Sequence, residues 1–406
     1  MHQSRLLEGI RVLDAASFIA GPVATTVMAD FGADVIKIEP PGGDTYRMRN
    51  TGYPPSPYNF PWIVDNRNKR AIAVDLRTAD GQEVLHRLVR GADVFVTNVP
   101  LDGRARLRIR DEDLTPLNSR LIYASVTAYG ERGPEASRPG FDSTALWART
   151  GLMDLMRPSP DAPPSRSLPG MGDHPTGMTL FGAIMAALYQ RERTGRGTMV
   201  STSLMANGLW WNAIQVQGIL SGARTVVRPP REQAVSALAN LYRCGDGRWF
   251  LLSLTADERR WPDLAASVER ADLVADPRFA TIENRRKHAG ELIAILDDVF
   301  GKKTWAEWRV ILERSGIAFG VVGTLDDIPG DRQMVESGAL VPIDDPRAGA
   351  SLTVSSPFEM DGQGKAKATL APAVGEHTTE VLREIGFSDS EIQRLIQIGA
   401  VGQARG

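Results

Sequence analysis

The sequence contains few of the side chains that bind metals or form disulfides. Its 406 residues include one cysteine, Cys244, and five histidines, none of which forms a closely spaced pair such as H-x-x-x-H. A single cysteine excludes an intrachain disulfide and a cysteine-based zinc site, and the scattered histidines argue against a metal enzyme. Any catalysis should therefore depend on carboxylates, backbone amides and a cofactor.

The sequence also has no strong excess of charge and no long apolar run. Lys plus Arg number 47 against 49 Asp plus Glu, so bulk electrostatic attraction to nucleic acid or a membrane is not expected. No apolar stretch approaches the roughly 20 residues that span a bilayer, and the N-terminus leads straight into a predicted strand. We expect a cytoplasmic protein with no nucleic-acid or membrane partner, in which any anionic ligand meets a local basic patch.

Short β-branched runs alternate with helical patterns in the first third of the chain, which is typical of a parallel sheet covered by helices. A helix is predicted to begin at Gly21-Pro22 and to end at Phe31, because Gly32 follows. The predicted strands are 11–14, 35–39, 71–76, 94–98 and 121–126. The fold class is therefore α/β, with a Rossmann-like open sheet.

A Rossmann-like sheet raises the possibility of a dinucleotide enzyme. Glu39 ends the second predicted strand, where an acidic residue would bind a ribose. The turn after the first strand, residues 15–21, contains no G-x-G-x-x-G to let a pyrophosphate approach the helix N-terminus. This absence disfavours an NAD enzyme.

The pattern changes after residue 223, which predicts a second, smaller domain. Arg228-Pro229-Pro230-Arg231 is typical of a linker, and an α+β segment follows it. The further predicted elements are a loop at 157–169, helices at 178–191 and 200–220, strands at 249–254, 316–322 and 352–354, helices around Trp261, Leu292 and Trp308, and a C-terminal helix pair from Glu376. We expect a large domain from residues 1–223, a small α+β domain from 224–334, and a return to the large domain over 335–406.

Many short segments, in their order and spacing, resemble the CaiB/BaiF family, the family III CoA-transferases. They are Leu13-Asp14, 20–22, 31–39, 68–70, Asp75-Leu76, Gly81, 92–94, Asn98, 138–142, Gly172-Asp173, 176–178, 194–197, 276–279, 356–358 and 375–378. The resemblance covers nearly the whole chain. It implies an acyl-CoA:carboxylate CoA-transferase that has no permanently bound cofactor, uses acyl-CoA and a free carboxylic acid as substrates, and forms an interlocked homodimer.

Asp173 is the central candidate. Taken alone, an Asp before Pro175 and an apolar run is typical of a helix N-cap. Glycines at 170, 172 and 177 would clear space for an acyl thioester and leave amides free for an oxyanion. The resemblance implies that Asp173 is the nucleophile, which forms acyl-anhydride and CoA-thioester intermediates with a carboxylate already ionised near neutral pH.

The resemblance also indicates residues beside the CoA phosphates. Arg104, Arg106, Arg108 and Arg110 alternate with apolar residues, which predicts one basic face of an extended segment or, alternatively, a solvated face. The resemblance favours Arg106, which lies eight residues after Asn98, the spacing at which family members place an arginine on the CoA phosphates. It also implies that Asn98 and Val99 lie near the CoA. Asn68, Lys69 and Arg70 would neighbour the adenine and 3′-phosphate, or form a polar turn. Arg138 would approach the CoA or the acceptor acid, or form a loop salt bridge.

The turn Ser17-Phe18-Ile19-Ala20 resembles the segment that lies beside the thioester and pantetheine. Formyl-CoA transferases have a glutamine where this chain has Ile19, and their glycine-rich loop is missing near 236–240. Formate and oxalate are therefore disfavoured. Phe18, Ile19, Phe141 and Trp147 are expected to face the pocket and favour a larger, less polar acyl group.

Two alternatives remain open from the sequence. α-Methylacyl-CoA racemases resemble this chain and use a His and an Asp to move a proton, but Phe141 stands where the His of their Gly-His-Asp motif aligns. A phenyl ring cannot exchange a proton. A non-catalytic acyl-CoA-binding protein would keep the basic residues but would have no need of a carboxylate at Asp173. The donor and acceptor acids cannot be identified from the sequence.

Overall fold

The structure, a computed structural model, describes residues 5–48, 56, 58–224, 227–254 and 257–404. The chain forms two compact units. The larger contains residues 1–153, 166–224 and 332–406, and the smaller contains 154–165 and 225–331. The predicted division into domains at 223/224 and 334/335 stays a prediction.

The strands of both units are short. They are β1 Arg11–Asp14, β2 Asp34–Glu39, β3 Arg70–Val74, β4 Val94–Thr97, β5 Ile122–Thr127, β6 Met199–Ser203, β7 Ala239–Arg243, β8 Trp249–Ser253, β9 Phe319–Val321, β10 Leu340–Pro342, β11 Leu352–Val354 and β12 Val401–Gly402. Seven of them form the sheet of the larger unit in the order β12-β3-β2-β1-β4-β5-β6. All neighbours in this sheet are parallel except β12 and β3, so the prediction of a Rossmann-like parallel sheet is confirmed.

The helices cover a wide range of lengths. They are α1 Ala20–Asp30, α2 Phe60–Asn66, α3 Ala79–Arg90, α4 Leu101–Leu107, α5 Asp111–Leu114, α6 Leu152–Leu155, α7 Asp173–Thr194, α8 Leu204–Trp211, α9 Ala213–Leu220, α10 Asp257–Ser267, α11 Asp272–Ala275, α12 Ile282–Lys287, α13 Ala289–Phe300, α14 Trp305–Ser315, α15 Arg332–Glu336, α16 Thr378–Glu384 and α17 Asp389–Gln397. A π-helical turn spans Asp142–Ala148. Within the described ranges, no helix combines the length and apolar character required to cross a bilayer.

The larger unit packs helices against both faces of its sheet. On one face, α1 and α7 bury residues such as Met28 and Ile184 against the strands. On the other face, α3, α16 and α17 bury residues such as Leu88 and Leu395. Because both faces are covered, strands such as β4 are entirely buried and mostly apolar, as expected for a parallel sheet.

The prediction of a single helix over 200–220 is wrong. Its first residues form β6, which pairs with β5 at the sheet edge, and α8 begins only after Ser203. The Ser203 side chain accepts a hydrogen bond from the Ala206 N–H, as an N-cap does. β6 is only five residues long and is followed at once by the apolar residues of α8, so the sequence shows no break between strand and helix.

The smaller unit has its own core. Strands β7, β8 and β9 form an antiparallel sheet, and helices around Trp261, Leu292 and Trp308 pack onto it as predicted. Tyr242 and Phe300 lie at the centre of this core, with ring centroids 4.9 Å apart. The predicted strands at 249–254 and 316–322 are confirmed with shorter bounds, and the one at 352–354, in the larger unit, is confirmed with the predicted bounds.

Candidate active site

A cavity of about 540 Å³ lies in the larger unit, at the carboxyl ends of β1, β4 and β5. The sheet order reverses between β1 and β4, which is the position where open α/β sheets bind ligands. Eight of the predicted site residues line this cavity: Ser17, Phe18, Ile19, Ala20, Asn98, Val99, Arg138 and Asp173. The sheet topology therefore brings together residues that are up to 156 positions apart in the sequence, from Ser17 to Asp173.

The turn after β1 forms one wall of the cavity. Its backbone is fixed by Asn98, whose side chain accepts from the Ser17 N–H at 2.8 Å and donates to the Ser17 carbonyl at 2.6 Å. The Ser17 hydroxyl donates to Asp44 at 2.6 Å. Phe18 has a φ of 61°, which is rare for a bulky residue, so these bonds hold a strained turn in place.

A buried ionic cluster supports this turn. The Asp14 carboxylate lies 2.9 Å from the Lys69 ammonium and 3.6 Å from that of Lys37, and none of these three side chains is exposed. Burial opposes ionisation of Asp14, but the two lysines lower its pKa to about 2. Lys37 also donates to the carbonyl of Ala16, so the cluster binds the turn directly.

Asp173 is the first residue of the 22-residue helix α7, and it faces the cavity. The interpretation of Asp173 as an N-cap is wrong, because Gly172 occupies that position and receives no side-chain cap. Among the described residues, no side chain or backbone group forms a hydrogen bond or ion pair with the Asp173 carboxylate. Burial, followed by the nearby Asp142 and Asp65 carboxylates, raises the pKa of Asp173 to about 8, although His174 lowers it in part.

Asp142 shapes the loop before α7. It is buried at the start of the π-helical turn and accepts the N–H groups of Gly170 at 3.1 Å and Gly172 at 3.3 Å. These two amides therefore bind Asp142 and are not free for an oxyanion. Because the Asp142 carboxylate accepts hydrogen bonds from two backbone N–H groups, it fixes the loop that precedes Asp173.

Two of the glycines around Asp173 are required for protein packing, and the third, Gly170, lines the cavity. A Cβ on Gly172 would lie 2.8 Å from Leu146 Cδ1, and one on Gly177 would lie 2.7 Å from Val23 Cγ1 on α1. Gly170 has a φ of 83°, which glycine adopts without strain. These glycines let α1, α7 and the π-helical turn approach one another closely.

His174 follows Asp173, and sequence reasoning did not select it. Its Nε2 lies 3.0 Å from Asp65 Oδ1, and its Nδ1 lies 3.1 Å from the carbonyl oxygen of Gly170. Desolvation opposes protonation, but the neighbouring Asp65 carboxylate raises the pKa of His174 to about 9. Of the residues that the structure describes, those lining the cavity do not include His174.

Three predicted CoA contacts lie outside the cavity and bind other parts of the protein. Asn68 donates to Asp30 at 2.8 Å and accepts from the Thr369 N–H at 2.8 Å. Lys69 belongs to the buried cluster described above. Arg70 pairs with Asp34 on β2, and with Glu380 and Glu384 on α16.

The arginines at 104–110 do not form the extended basic face that their spacing predicted. Residues 101–107 form α4, so alternate side chains do not share a face. Arg104 is buried and bonded to the Val99 carbonyl at 2.6 Å and to Glu131 at 3.1 Å. Arg106 is exposed, does not line the cavity, and has no ion pair with any described residue.

Two aromatic rings and two arginines define the cavity mouth. The rings of Phe18 and Phe141 meet edge to face with centroids 5.5 Å apart. Arg138 is exposed and pairs with Glu135, and Arg166 also lines the cavity. Trp147, which was expected to face the pocket, instead packs against Trp211 with centroids 6.2 Å apart.

The fold and the site define an α/β protein with a ligand cavity where its sheet order reverses, and sequence comparison identifies its family. Residues 7–378 match CoA-transferase family III. The chain therefore belongs to that family, and the resemblance found in the sequence is confirmed.

Two relatives and one solved structure show how far the similarity extends. The chain is 30% identical over 390 residues to an (R)-2-hydroxy-4-methylpentanoate CoA-transferase of Clostridioides difficile, covering 95% of this chain and 97% of that one. It is 31% identical over 399 residues to a cinnamoyl-CoA:phenyllactate CoA-transferase of Clostridium sporogenes, covering 97% of each. A crystal structure of a CaiB/BaiF family protein from Brucella suis matches with a TM-score of 0.83 and 28% identity, over 94% of this chain and all of that one.

Proposed function

We propose that the protein moves CoA from an acyl-CoA to a free carboxylic acid through a covalent intermediate on Asp173. One observation carries the proposal: the Asp173 carboxylate faces the cavity and forms no hydrogen bond with any described residue. A carboxylate that serves structure, such as the buried Asp142, is normally hydrogen-bonded within the protein, whereas the half-buried Asp173 carboxylate is not. A carboxylate without such bonds can approach a thioester carbonyl as a nucleophile.

The first half of the reaction loads CoA onto the protein. The Asp173 carboxylate attacks the thioester carbonyl, the C–S bond breaks, and CoA leaves as a thiolate. This step forms a mixed anhydride between Asp173 and the acyl group. The thiolate then attacks the aspartyl carbonyl, which releases the donor acid as a carboxylate and leaves an aspartyl-CoA thioester.

The second half uses the same steps in reverse order. The carboxylate of the acceptor acid attacks the aspartyl-CoA carbonyl and expels the thiolate, which forms a second anhydride. The thiolate then attacks the acyl carbonyl of this anhydride. The new acyl-CoA and the free Asp173 carboxylate are the products, so no proton is consumed overall.

Ionisation of Asp173 limits this chemistry more than the sequence suggested. Burial and the Asp142 and Asp65 charges raise its pKa to about 8, so only a minority of the free protein is ionised at pH 7. The expectation of a carboxylate already ionised near neutral pH is therefore wrong. The same desolvation makes the ionised fraction a stronger nucleophile, because water does not stabilise its charge.

The cavity walls favour an acyl group larger than formyl. Phe18, Ile19, Tyr46 and Phe141 provide an apolar surface, and Arg138 and Arg166 add positive charge near it. The two relatives above are named for a branched and an aromatic 2-hydroxy acid. Branched or aromatic acids are therefore the proposed substrates, with an arginine attracting the carboxylate of the free acid.

The proposed CoA site extends from the turn Ser17–Ala20 towards α4. The turn, Asn98 and Val99 would lie beside the thioester and pantetheine, and Arg106 would contact a phosphate. Asn68 and Arg70 are half-buried and can still approach a ligand at the adenine end. Lys69 has no exposed side-chain surface, so its proposed role is to support the turn through Asp14.

A homodimer is part of the same proposal. Helices α8 and α9 expose apolar residues that a monomer would leave in water: Leu209, Trp210, Trp211, Ile214, Ile219 and Leu220. A patch of this kind marks an interaction surface, and the family resemblance implies an interlocked second copy. Sedimentation showing a freely exchanging monomer at micromolar concentration would contradict this assembly.

The decisive experiment follows the covalent intermediate. Wild-type protein mixed with a donor acyl-CoA alone should gain a CoA adduct on the peptide containing Asp173, and hydroxylamine should remove it. Donors with formyl, branched and aromatic acyl groups would compare the substrate classes. An Asp173→Asn protein that still transfers CoA without an adduct would refute the proposal.

A further inference from the structure

The side chain of His174 is placed to control the charge of its neighbour. We propose that His174 is held as a doubly protonated imidazolium between Asp65 and the Gly170 carbonyl, and that it is a positioning residue whose charge allows Asp173 to ionise. The proposal rests on the function proposed above, because it concerns the same nucleophile.

The geometry favours a proton on both ring nitrogens, since one faces a carbonyl oxygen and the other lies at ion-pair distance from a carboxylate. The Gly170 carbonyl can only accept, so Nδ1, at 3.1 Å, must donate to it. Asp65 Oδ1 lies 3.0 Å from Nε2, and the other oxygen of Asp65 accepts from the Tyr46 hydroxyl at 3.1 Å. Either neutral tautomer would leave one bare nitrogen facing an oxygen acceptor, which costs free energy.

The charges around His174 come from several elements. Asp65 lies on α2, Asp173 on α7, and Asp142 on the π-helical turn faces Asp173. On the other side of Asp65, Lys69 donates to its backbone carbonyl at 2.9 Å. His174 thus contributes a positive charge to a site whose nearest ionisable neighbours are carboxylates, and Asp65 and Asp173 in turn favour its charged form.

The imidazolium is also fixed in position. The backbone N–H of His174 donates to the same Gly170 carbonyl, at 3.1 Å, that Nδ1 contacts. Gly170 in turn donates its N–H to Asp142. The ring, whose side chain is 48% exposed, is therefore held by two elements of the protein, and it does not line the cavity. Its proposed effect is electrostatic.

Nuclear magnetic resonance measures the protonation state directly. In protein labelled with ¹⁵N-histidine, one ring should show two protonated nitrogens at pH 7.5, and His174→Asn should remove that signal. Asp65→Asn should move its titration down towards the ordinary range near pH 6.5. A His174 ring that is a single neutral tautomer at pH 7.5 in the wild-type protein would overturn the proposal.

Adduct formation measures the effect on Asp173. With donor acyl-CoA alone, the rate should rise with pH until Asp173 is ionised. An opposite charge within about 4–6 Å typically shifts a carboxyl pKa by about 1–3 units. Because His174 is the smallest of the influences on the pKa of Asp173, we expect His174→Asn to slow adduct formation by about tenfold at pH 6.5, the low end of that range, with the rates converging only above about pH 10. An equal loss at every pH would indicate a structural role only and would also overturn the proposal.

Two controls distinguish a failure of this proposal from a failure of the proposed CoA-transfer function. His86→Asn makes the same substitution on α3, at a half-buried residue that does not line the cavity, and should leave the pH profile unchanged. In Asp173→Asn the pKa of His174 should fall, because electrostatic coupling between two sites is reciprocal. If Asp173→Asn still forms an adduct, the proposed function fails, whereas the resonance measurement on His174 stands independently. If His174→Asn does not fold, the wild-type spectrum still decides.

Discussion

The side-chain amide of Asn98 forms two hydrogen bonds with the backbone of Ser17, across the point where the sheet order reverses. It accepts from the N–H at 2.8 Å and donates to the carbonyl at 2.6 Å. Asn98 follows β4 and Ser17 follows β1, and these two strands are neighbours. The pair therefore links the two halves of the sheet at the floor of the cavity and fixes the turn that carries Phe18.

Removing the Asn98 amide should impair substrate binding as well as stability. In Asn98→Ala the Ser17 turn loses both bonds, so the strained Phe18 conformation relaxes and the donor acyl-CoA should bind about tenfold more weakly. Unfolding free energy should fall by about 1–3 kcal/mol. Steady-state kinetics and urea unfolding measure the two effects.

Asn118→Ala is the matched control for Asn98→Ala. Asn118 donates to the carbonyls of Val89 at 3.0 Å and Ala92 at 2.8 Å, so its loss removes two comparable bonds. It does not line the cavity. The control should lose a similar amount of stability, whereas its apparent dissociation constant for the donor acyl-CoA (the donor constant) should be unchanged. Equal effects of both substitutions on binding would show that the Ser17 turn does not position the substrate.

The parallel sheet could be predicted from the sequence because its strands are locally distinctive. Strands such as β4 are continuous apolar runs between turn residues, and α1 is delimited by Gly and Pro. The edge strands β6 and β12 could not be predicted in this way. β6 exposes every second residue, and the two-residue β12 exists only because it pairs with β3.

Asp173 and the Ser17 turn could be predicted because they lie in contiguous motifs. The contacts that hold His174 beside Asp173 could not be predicted. His174 depends on Asp65, which is 109 positions away, and on the conformation of Gly170. A lone histidine gives no sign of such partners in the sequence. The burial of Lys69 could not be predicted for the same reason, because Asp14 lies next to Lys69 only in the folded sheet.

Lys69→Met should act on stability and leave CoA contacts largely intact. The substitution leaves Asp14 with Lys37 alone at 3.6 Å, and breaking a buried ion pair typically costs about 3–5 kcal/mol. We expect a clear fall in the unfolding midpoint, with the donor constant of the surviving folded protein within about threefold of wild type. A normal midpoint with a large rise in the donor constant would instead place Lys69 at the CoA.

Arg106→Ala should have the opposite effect: weaker donor binding with unchanged stability. Arg106 is exposed and has no ion pair with any described residue, so its loss should not change the unfolding midpoint. A charge-assisted phosphate contact is worth about 1.5–3 kcal/mol, which corresponds to about a ten- to hundredfold rise in the donor constant. The turnover number should stay the same.

The control for Arg106→Ala is Arg77→Ala. Arg77 is also exposed, pairs with Asp75 at 2.7 Å and does not line the cavity. The Arg77→Ala protein should bind the donor acyl-CoA as tightly as the wild-type protein does. A donor constant unchanged by Arg106→Ala would place that side chain in solvent.

Asp173→Asn should abolish CoA transfer and also change how stability depends on pH. The folded-state pKa of Asp173 is about 8, well above the ordinary value of 3.8. Between these values the folded protein keeps a proton that the unfolded chain has released, so this group makes stability fall as pH rises from about 4 to about 8. Asparagine does not titrate and removes this contribution.

The measurement compares unfolding of wild-type and Asp173→Asn protein at pH 5, 7 and 9, at one fixed protein concentration. The two should be similar at pH 5, and the variant should be the more stable at pH 9, where wild type carries a desolvated charge. Asp142→Asn is the matched control: Asp142 accepts two backbone N–H groups through one oxygen, so replacing it weakens the loop and should destabilise the protein at pH 7 and 9. If Asp173→Asn were instead less stable than the wild-type protein at pH 9, the ionised Asp173 carboxylate would be stabilising the helix. The argument that Asp173 is a nucleophile whose burial destabilises the protein would then fail.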